Sequence, residues 1–465
     1  MPQKRFAAPF VLPVAAFAAT ILIGAFALWL DISAVGQPVA FVDALFTATS
    51  AVCVTGLATV DPSTVFNRTG QSVMLALTQL GGLGIITYST LIFYMLSRRI
   101  SLHDRLAVGQ ALLHDSSFHL GKFLQRIVLQ VLAVEAAGAL LLMAFAPESI
   151  SPFKAVFLAV SAFCNSGFAL WPDNLMQWRD HLGVNMVVMT LITCGGLGFF
   201  VLDEMLRIFR QRLHWRKPRV ARLSVAQALR FKPHLSFNSR VVIAVSAVLT
   251  FGGGLLIMCG NLGNPAWESA SFFDRALTSL FQSVSCRTAG FSTVDMASFS
   301  DVSLLSMILL MFIGGSPGSC AGGIKTTTFC VLAAYFIAQF RGRSQVVVAG
   351  RAMEAGTLNK ALLLFCFSIL TVSAATFFLV LSENGMAHHT EGAFHMLDLL
   401  FEVTSAFGTV GLSVNVTPRL SDAGKLLICL VMFIGRLGPI WLLTTIQQFQ
   451  SDPAYRYPET AVPIG

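Results

Sequence analysis

Four glycines at near-regular spacing, Gly56, Gly167, Gly290 and Gly411, each end a short turn and each precede a bulky apolar residue. The turns read V-C-V-T-G-L (52–57), F-C-N-S-G-F (163–168), C-R-T-A-G-F (286–291) and F-G-T-V-G-L (407–412). The intervals between the glycines are 111, 123 and 121 residues, and two copies match further, as G-L-A-T-V-D and G-F-S-T-V-D. Glycine reaches backbone conformations closed to residues with a side chain. A Gly-centred turn can therefore present carbonyl oxygens to a cavity, and a ring of carbonyls can replace a cation's hydration shell. Four such turns in one chain predict one ring. Its residues would be Val54, Thr55, Gly56, Asn165, Ser166, Gly167, Thr288, Ala289, Gly290, Thr409, Val410 and Gly411.

Other chemistries find little support. None of the nine cysteines forms a C-x-x-C pair, and most lie in apolar runs, as small buried hydrophobes do. The histidines lack H-E-x-x-H spacing, and His388 and His389 stand in a polar loop. A membrane enzyme would need catalytic side chains clustered at membrane depth, and no such cluster is legible. The run G-G-S-P-G-S-C-A-G-G-I-K-T-T-T (314–328) is not a phosphate loop, because Ile324 separates Gly323 from Lys325 and no strand precedes it.

The elements that must position these turns are membrane helices. Of the 465 residues 55% are hydrophobic and 12% charged, against about 25% charged in soluble domains. Segment 10–30 is apolar apart from Thr20 and too long for a signal peptide's core, so it reads as a transmembrane helix. The same order then recurs: a long apolar helix, a shorter apolar stretch, a Gly-turn and a second long helix. The long helices are expected at 10–30, 71–96, 123–146, 183–206, 238–260, 302–340 (broken in its middle), 358–381 and 423–449. The short stretches are 39–52, 152–163, 269–284 and 393–407. At 14 residues the first would extend about 21 Å, too short to cross, so these read as re-entrant pore helices. Their carbonyl ends would favour a cation at the cavity. A second glycine landmark follows each turn: G-G-L-G at 81–84 and 195–198, G-G-S-P-G at 314–318 and G-R-L-G at 435–438.

The expected fold is thus an all-α integral membrane protein. It consists of four repeats of helix, pore helix, filter turn and helix (10–96, 123–206, 238–340 and 358–449), eight transmembrane helices around one pore. A basic cytoplasmic linker spans 207–237. Lys and Arg concentrate at the N-terminus, in 97–126, 207–240 and 341–360 and at Arg456, which places both termini in the cytoplasm. External segments carry acids such as Asp61, Asp173 and Asp295 that would gather cations, or that are simply solvated. Arg287, Lys325 and Arg436 fall at membrane depth. Arg287 is expected to brace the third turn against a pore-helix acid such as Glu402. Lys325 and Arg436 face a watery path or snorkel to an interface.

The four Gly-turns and the 314–328 run resemble the Trk/Ktr potassium transporter family over nearly the whole chain, and its shorter KtrB type in particular. The fourth turn also shares T-V-G with the potassium-channel filter. The resemblance implies a potassium-translocating subunit of the inner (plasma) membrane, surrounded by lipid and paired as a homodimer. It further implies a cytosolic ring of nucleotide-binding RCK/KTN domains as partner, sodium as an activator, no covalent cofactor and no nucleic acid. Cys286 and Cys320 depart from the family's usual residues. The alternative is a secondary transporter for another cation or small solute, built from broken helices with a midplane site. The interruption at Gly314, Gly315, Ser316, Pro317, Gly318, Ser319, Cys320, Ala321, Gly322 and Gly323 must line a cavity, since lipid cannot satisfy its backbone. It reads as a mobile gating loop below the filter, with Lys325 beside it and Arg436 adding electrostatic repulsion.

Overall fold

The computed structural model describes residues 11–36, 38–83, 120–214, 235–264, 267, 270–385 and 392–438. These are mostly helical. The first group is α1 (Val11–Trp29), α2 (Phe41–Cys53) and α3 (Arg68–Gly82). The second is α4 (Leu120–Phe145), α5 (Pro152–Cys164), α6 (Leu182–Leu197) and α7 (Phe199–His214). The third is α8 (Phe237–Gly260), α9 (Phe272–Ser285), α10 (Asp301–Phe312) and α11 (Thr326–Phe340). A two-residue hairpin, Val347–Val348 with Arg351–Ala352, leads to the fourth: α12 (Ala355–Asn384), α13 (Met396–Gly408) and α14 (Asp422–Leu437).

The local sequence explains where these helices begin. Ser151 and Ser271 accept backbone N–H bonds at the starts of α5 and α9. Asn67, Ser300 and Ser421 do the same for α3, α10 and α14. Each such cap satisfies a donor that has no partner within the helix. The T-V-D copies are explained in the same way. Asp61 accepts from Ser63 N and Asp295 from Ala297 N, so both acids cap the chain just beyond a turn.

Among the described residues three helices are long and apolar enough to cross a membrane: Gln125–Phe145, Phe237–Gly260 and Ala355–Asn384. The pair α6–α7 makes a fourth span if its two members count as one, but they are bent by 108°. The expectation of one continuous helix over 183–206 is therefore corrected. Gly198 sits at φ +91° and ends α6, and α7 sets off in a new direction. Within the segment expected as a linker from 207, α7 continues to His214. The continuations expected at 84–96 and 439–449 lie outside the described residues.

Packing joins neighbouring groups in a cycle. One apolar cluster unites α1–α3 with α12–α14, around Phe46, Met74, Leu379 and Phe407. A second unites α4–α6 with α9, around Leu158, Phe163, Val188 and Phe281. The third joins α8 and α10 to α13, around Ile257, Met307 and Phe401. The short helices α2, α5, α9 and α13 sit inside this packing, with nearly all their C-terminal halves buried.

Candidate ion pathway

Each of the four Gly-turns follows the C-terminal end of a short helix. The residue two before each glycine has a positive φ: Val54 at 55°, Asn165 at 61°, Thr288 at 71° and Thr409 at 51°. The glycines themselves lie at +97°, +71°, +74° and +95°. A non-glycine residue in this region costs about 1–3 kcal/mol, and such strain gathers at functional sites. Three of the four, Val54, Thr288 and Thr409, are β-branched, the side chains that tolerate it least.

The turns meet. A Cβ placed on Gly56 would strike the Ser166 carbonyl oxygen and the Gly167 Cα, and one on Gly167 would meet the Ala289 carbonyl and Gly290. From Gly290 the neighbours are the Val410 carbonyl and Gly411, and from Gly411 they are the Thr55 carbonyl and Gly56. The four contacts close a ring in chain order. Every glycine takes the carbonyl of the residue preceding the next glycine, so no side chain can be added anywhere on the circuit. Val54, Thr55, Asn165, Ser166, Thr288, Ala289, Thr409 and Val410 are all buried around it. Such a ring concentrates backbone oxygens in one place, the donor set suited to a dehydrated monovalent cation.

A serine supports each turn, and the sequence reading missed it. Ser50 accepts Thr55 N on its carbonyl at 2.8 Å and Gly56 N on its hydroxyl at 3.0 Å. Ser405 repeats this with Val410 N at 2.8 Å and Gly411 N at 3.0 Å. Ser161 accepts Ser166 N at 2.8 Å and donates to the Phe168 carbonyl at 2.7 Å. In the third turn Ser285 takes Ala289 N at 2.9 Å and donates to the Phe291 carbonyl. The signal was present as a serine six residues before Gly56, Gly167 and Gly411. The third turn hid it, because there the serine stands five residues before Gly290 and the turn is one residue shorter.

The second glycine landmarks have a structural use. A Cβ on Gly81, Gly195 or Gly435 would strike the carbonyl of Val52, Phe163 or Phe407, the last turn of the short helix in the same group. The missing side chain lets α3, α6 and α14 press against the ends of α2, α5 and α13.

The third landmark instead opens the loop between α10 and α11. Its ends are paired, with Gly314 N donating to the Ile324 carbonyl at 2.9 Å and Thr326 N to the Gly315 carbonyl at 3.1 Å. Its body is tied to the α6–α7 bend. Ser316 N donates to Gly196 O at 3.1 Å, and Phe199 N donates to Gly318 O at 3.0 Å. Gly322 N reaches the Thr409 hydroxyl at 3.1 Å, at the fourth turn itself. The Ser319 hydroxyl donates to Ser316 O at 2.6 Å within the loop.

Both cations expected nearby are engaged. Lys325 Nζ donates to the Ala321 carbonyl at 2.6 Å and lies 3.4 Å from that of Gly322. Arg436 is buried and donates to the carbonyls of Cys320 and Gly81. It therefore ties the loop to α3 through its guanidinium. The expected Arg287–Glu402 brace is also corrected. Arg287 donates to Ser246 O at 3.2 Å, whereas Glu402 accepts from Ser413 at 2.8 Å and from Thr417. The geometry puts the acid's hydroxyl partners in its own group, directly after the fourth turn.

Among the described residues no group of three or more His, Cys, Asp or Glu could hold a metal ion.

Comparison with known proteins finds relatives over nearly the whole chain. The family model TrkH, cation transport protein, matches residues 2–455. The Ktr system potassium uptake protein B of Bacillus subtilis (strain 168) is 36% identical over 99% of this chain and 97% of its own length. The potassium/sodium uptake protein NtpJ of Enterococcus hirae is 33% identical over 100% of this chain and 98% of its own. The crystal structure of the potassium transporter TrkH from Vibrio parahaemolyticus has the same fold, with a TM-score of 0.70 at 17% identity, over 96% of this chain and 86% of that one.

Proposed function

This chain belongs to the TrkH family of cation transport proteins, and from that premise we propose that it is the potassium-translocating membrane subunit of a Ktr-type uptake system. Four repeats, 10–96, 123–206, 238–340 and 358–449, surround one pore with eight transmembrane helices in the plasma membrane, both termini cytoplasmic. The four turns are its selectivity filter. The observation that carries this reading is the closed circuit of Gly56, Gly167, Gly290 and Gly411, built at the cost of four strained residues.

The loop 314–323, with Lys325 and Arg436, is the gate on the cytoplasmic side of the filter. Its support is the contact between Gly322 and Thr409 and the clamp from Arg436. The subunit works as a homodimer with a cytosolic RCK/KTN ring, and sodium stimulates transport. The basic residues of 207–240 and the relatives' Ktr naming support that partnership.

The test is growth and uptake in a bacterium stripped of its own potassium uptake. The chain, expressed with a regulatory partner, should restore growth at limiting potassium. Rubidium uptake should be inhibited by potassium more strongly than by sodium. Gly411→Ser should erase most of that preference, because its Cβ has no space beside the Thr55 carbonyl. A well-expressed parent that neither restores growth nor takes up rubidium would overturn the proposal. Equal uptake of sodium would remove the potassium assignment.

A further inference from the structure

Two asparagines beyond the turns, Asn174 and Asn415, hold a left-handed backbone, at φ +56° and +58°. Asparagine enters that region more readily than most residues. Both side chains reach the segment that follows the third turn. Asn415 Nδ2 donates to Asp295 Oδ1 at 3.3 Å. Asn174 Oδ1 accepts Ser292 N at 3.4 Å, beside a backbone bond from Leu175 N to Ser292 O at 3.0 Å. The other end of the Asn174 amide does something that Asn415 does not. Its Nδ2 donates, at 3.3 Å, to the carbonyl of Gly167, one of the four glycines of the closed circuit.

This tie has no counterpart in the sequence of the other groups. Asn174 stands seven residues past Gly167, and the same step from Gly56, Gly290 and Gly411 reaches Ser63, Ala297 and Pro418, none with an amide side chain. The rim differs accordingly: Gly167 and Gly290 are buried, whereas Gly56 and Gly411 are half-buried. We propose that Asn174 is a specificity-determining residue of the ion pathway, its amide N–H restraining the Gly167 carbonyl and its amide oxygen fastening the second turn to the third. The proposal deepens the ion-pathway reading and rests on it.

A backbone carbonyl has two lone pairs, so its oxygen can accept an N–H and still face a cation. Free carbonyls can draw in around a smaller ion, and strong-field oxygens repay the larger cost of dehydrating sodium. A donor already on the oxygen opposes the inward movement and draws on its electron density. Both effects act against sodium and leave potassium, the larger and more easily dehydrated ion, favoured. Asn174 therefore acts on discrimination between cations, through one carbonyl of the ring.

The experiment reads rubidium uptake by the full-length chain in the uptake-deficient bacterium, with potassium and sodium as competitors. Asn174→Gly suits the backbone at φ +56° and removes only the amide. Asn174→Asp keeps an acceptor for Ser292 N and removes the donor to Gly167 O. Asn415→Gly loosens the same rim without touching a glycine carbonyl. The ratio of the sodium to the potassium inhibition constant should fall about three- to tenfold in both Asn174 variants, equivalent to ~0.7–1.4 kcal/mol. It should keep its parental value in Asn415→Gly. A folding defect lowers the maximal rate and not this ratio, and the charge added by Asn174→Asp attracts both ions alike. A selective parent whose ratio survives in Asn174→Gly overturns the proposal, as does an equal fall in Asn415→Gly. A ratio lost in Asn174→Gly but kept in Asn174→Asp assigns the effect to the Ser292 tie and overturns the role of the Gly167 bond. A parent that does not discriminate, with Gly411→Ser no different from it, sinks the ion-pathway reading and this proposal with it.

Discussion

The buried hydroxyls of Ser50 and Ser405 hold the N–H groups of the half-buried Gly56 and Gly411 at 3.0 Å. Removing the acceptor leaves that donor without its protein partner, at a cost of up to about 1–3 kcal/mol. That is comparable to the strain at Thr409, so the fourth turn stands near a balance that the serine tips. Ser405→Ala should therefore lower the preference for potassium over sodium while leaving membrane insertion intact. Competition uptake reads the ratio, and an unchanged ratio in well-inserted Ser405→Ala would show that the turn does not depend on this bond. Glu402 works at the same scale from the far side of the turn, through Ser413 and Thr417.

At the scale of elements, the segment between α10 and α11 is held by the other three groups. It is bound to the α6–α7 bend, to Thr409, and through Arg436 to Gly81. The glycines and Pro317 that prevent helix there also let the segment settle into these contacts. Charge-assisted bonds from Arg436 are worth about 1.5–3 kcal/mol each, the largest single tie on the loop. Arg436→Ala should therefore release it and raise potassium flux several-fold in proteoliposomes. Deleting Gly318–Gly323 should do the same and make flux less dependent on any partner. If both variants insert normally and pass potassium no faster than the parent, the segment is a fixed plug rest and not a gate.

Over the whole molecule, apolar clusters link each group to its neighbour, so the ring is fastened from outside as well as at the turns. The circuit is only approximately fourfold, because the third turn is shorter by one residue and its helix α9 ends differently from α2, α5 and α13. Its exterior has large exposed apolar residues, Leu22, Phe251 and Phe377 among them, as expected where lipid is the surroundings. The proposed regulatory ring would meet the basic side. A co-expressed RCK-type partner should co-purify in detergent at low salt and dissociate as salt rises, because exposed charges separated by more than about 10 Å are screened at 0.1 M. No association at any salt or nucleotide concentration would remove that partner.

Much of this was written in the sequence, and for a physical reason: a backbone with positive φ and no room for a Cβ leaves glycine as the one acceptable residue. Gly56, Gly167, Gly290 and Gly411 are therefore visible in the chain without coordinates. Lipid exposure likewise forces apolar runs, so the helices near 41–53, 152–164 and 396–408 fall close to where the pattern puts them. Partner choice was not legible. Arg436 was identified as a cation at membrane depth, yet which groups it binds depends on which carbonyls lie within reach, and Cys320 and Gly81 are 116 and 355 residues away in sequence. The same holds for Arg287, which donates to the Ser246 carbonyl and not to Glu402. The bend at Gly198 also needed the fold, since a glycine permits a positive φ but only the loop packed against it, through Phe199 and Gly318, makes that conformation the stable one.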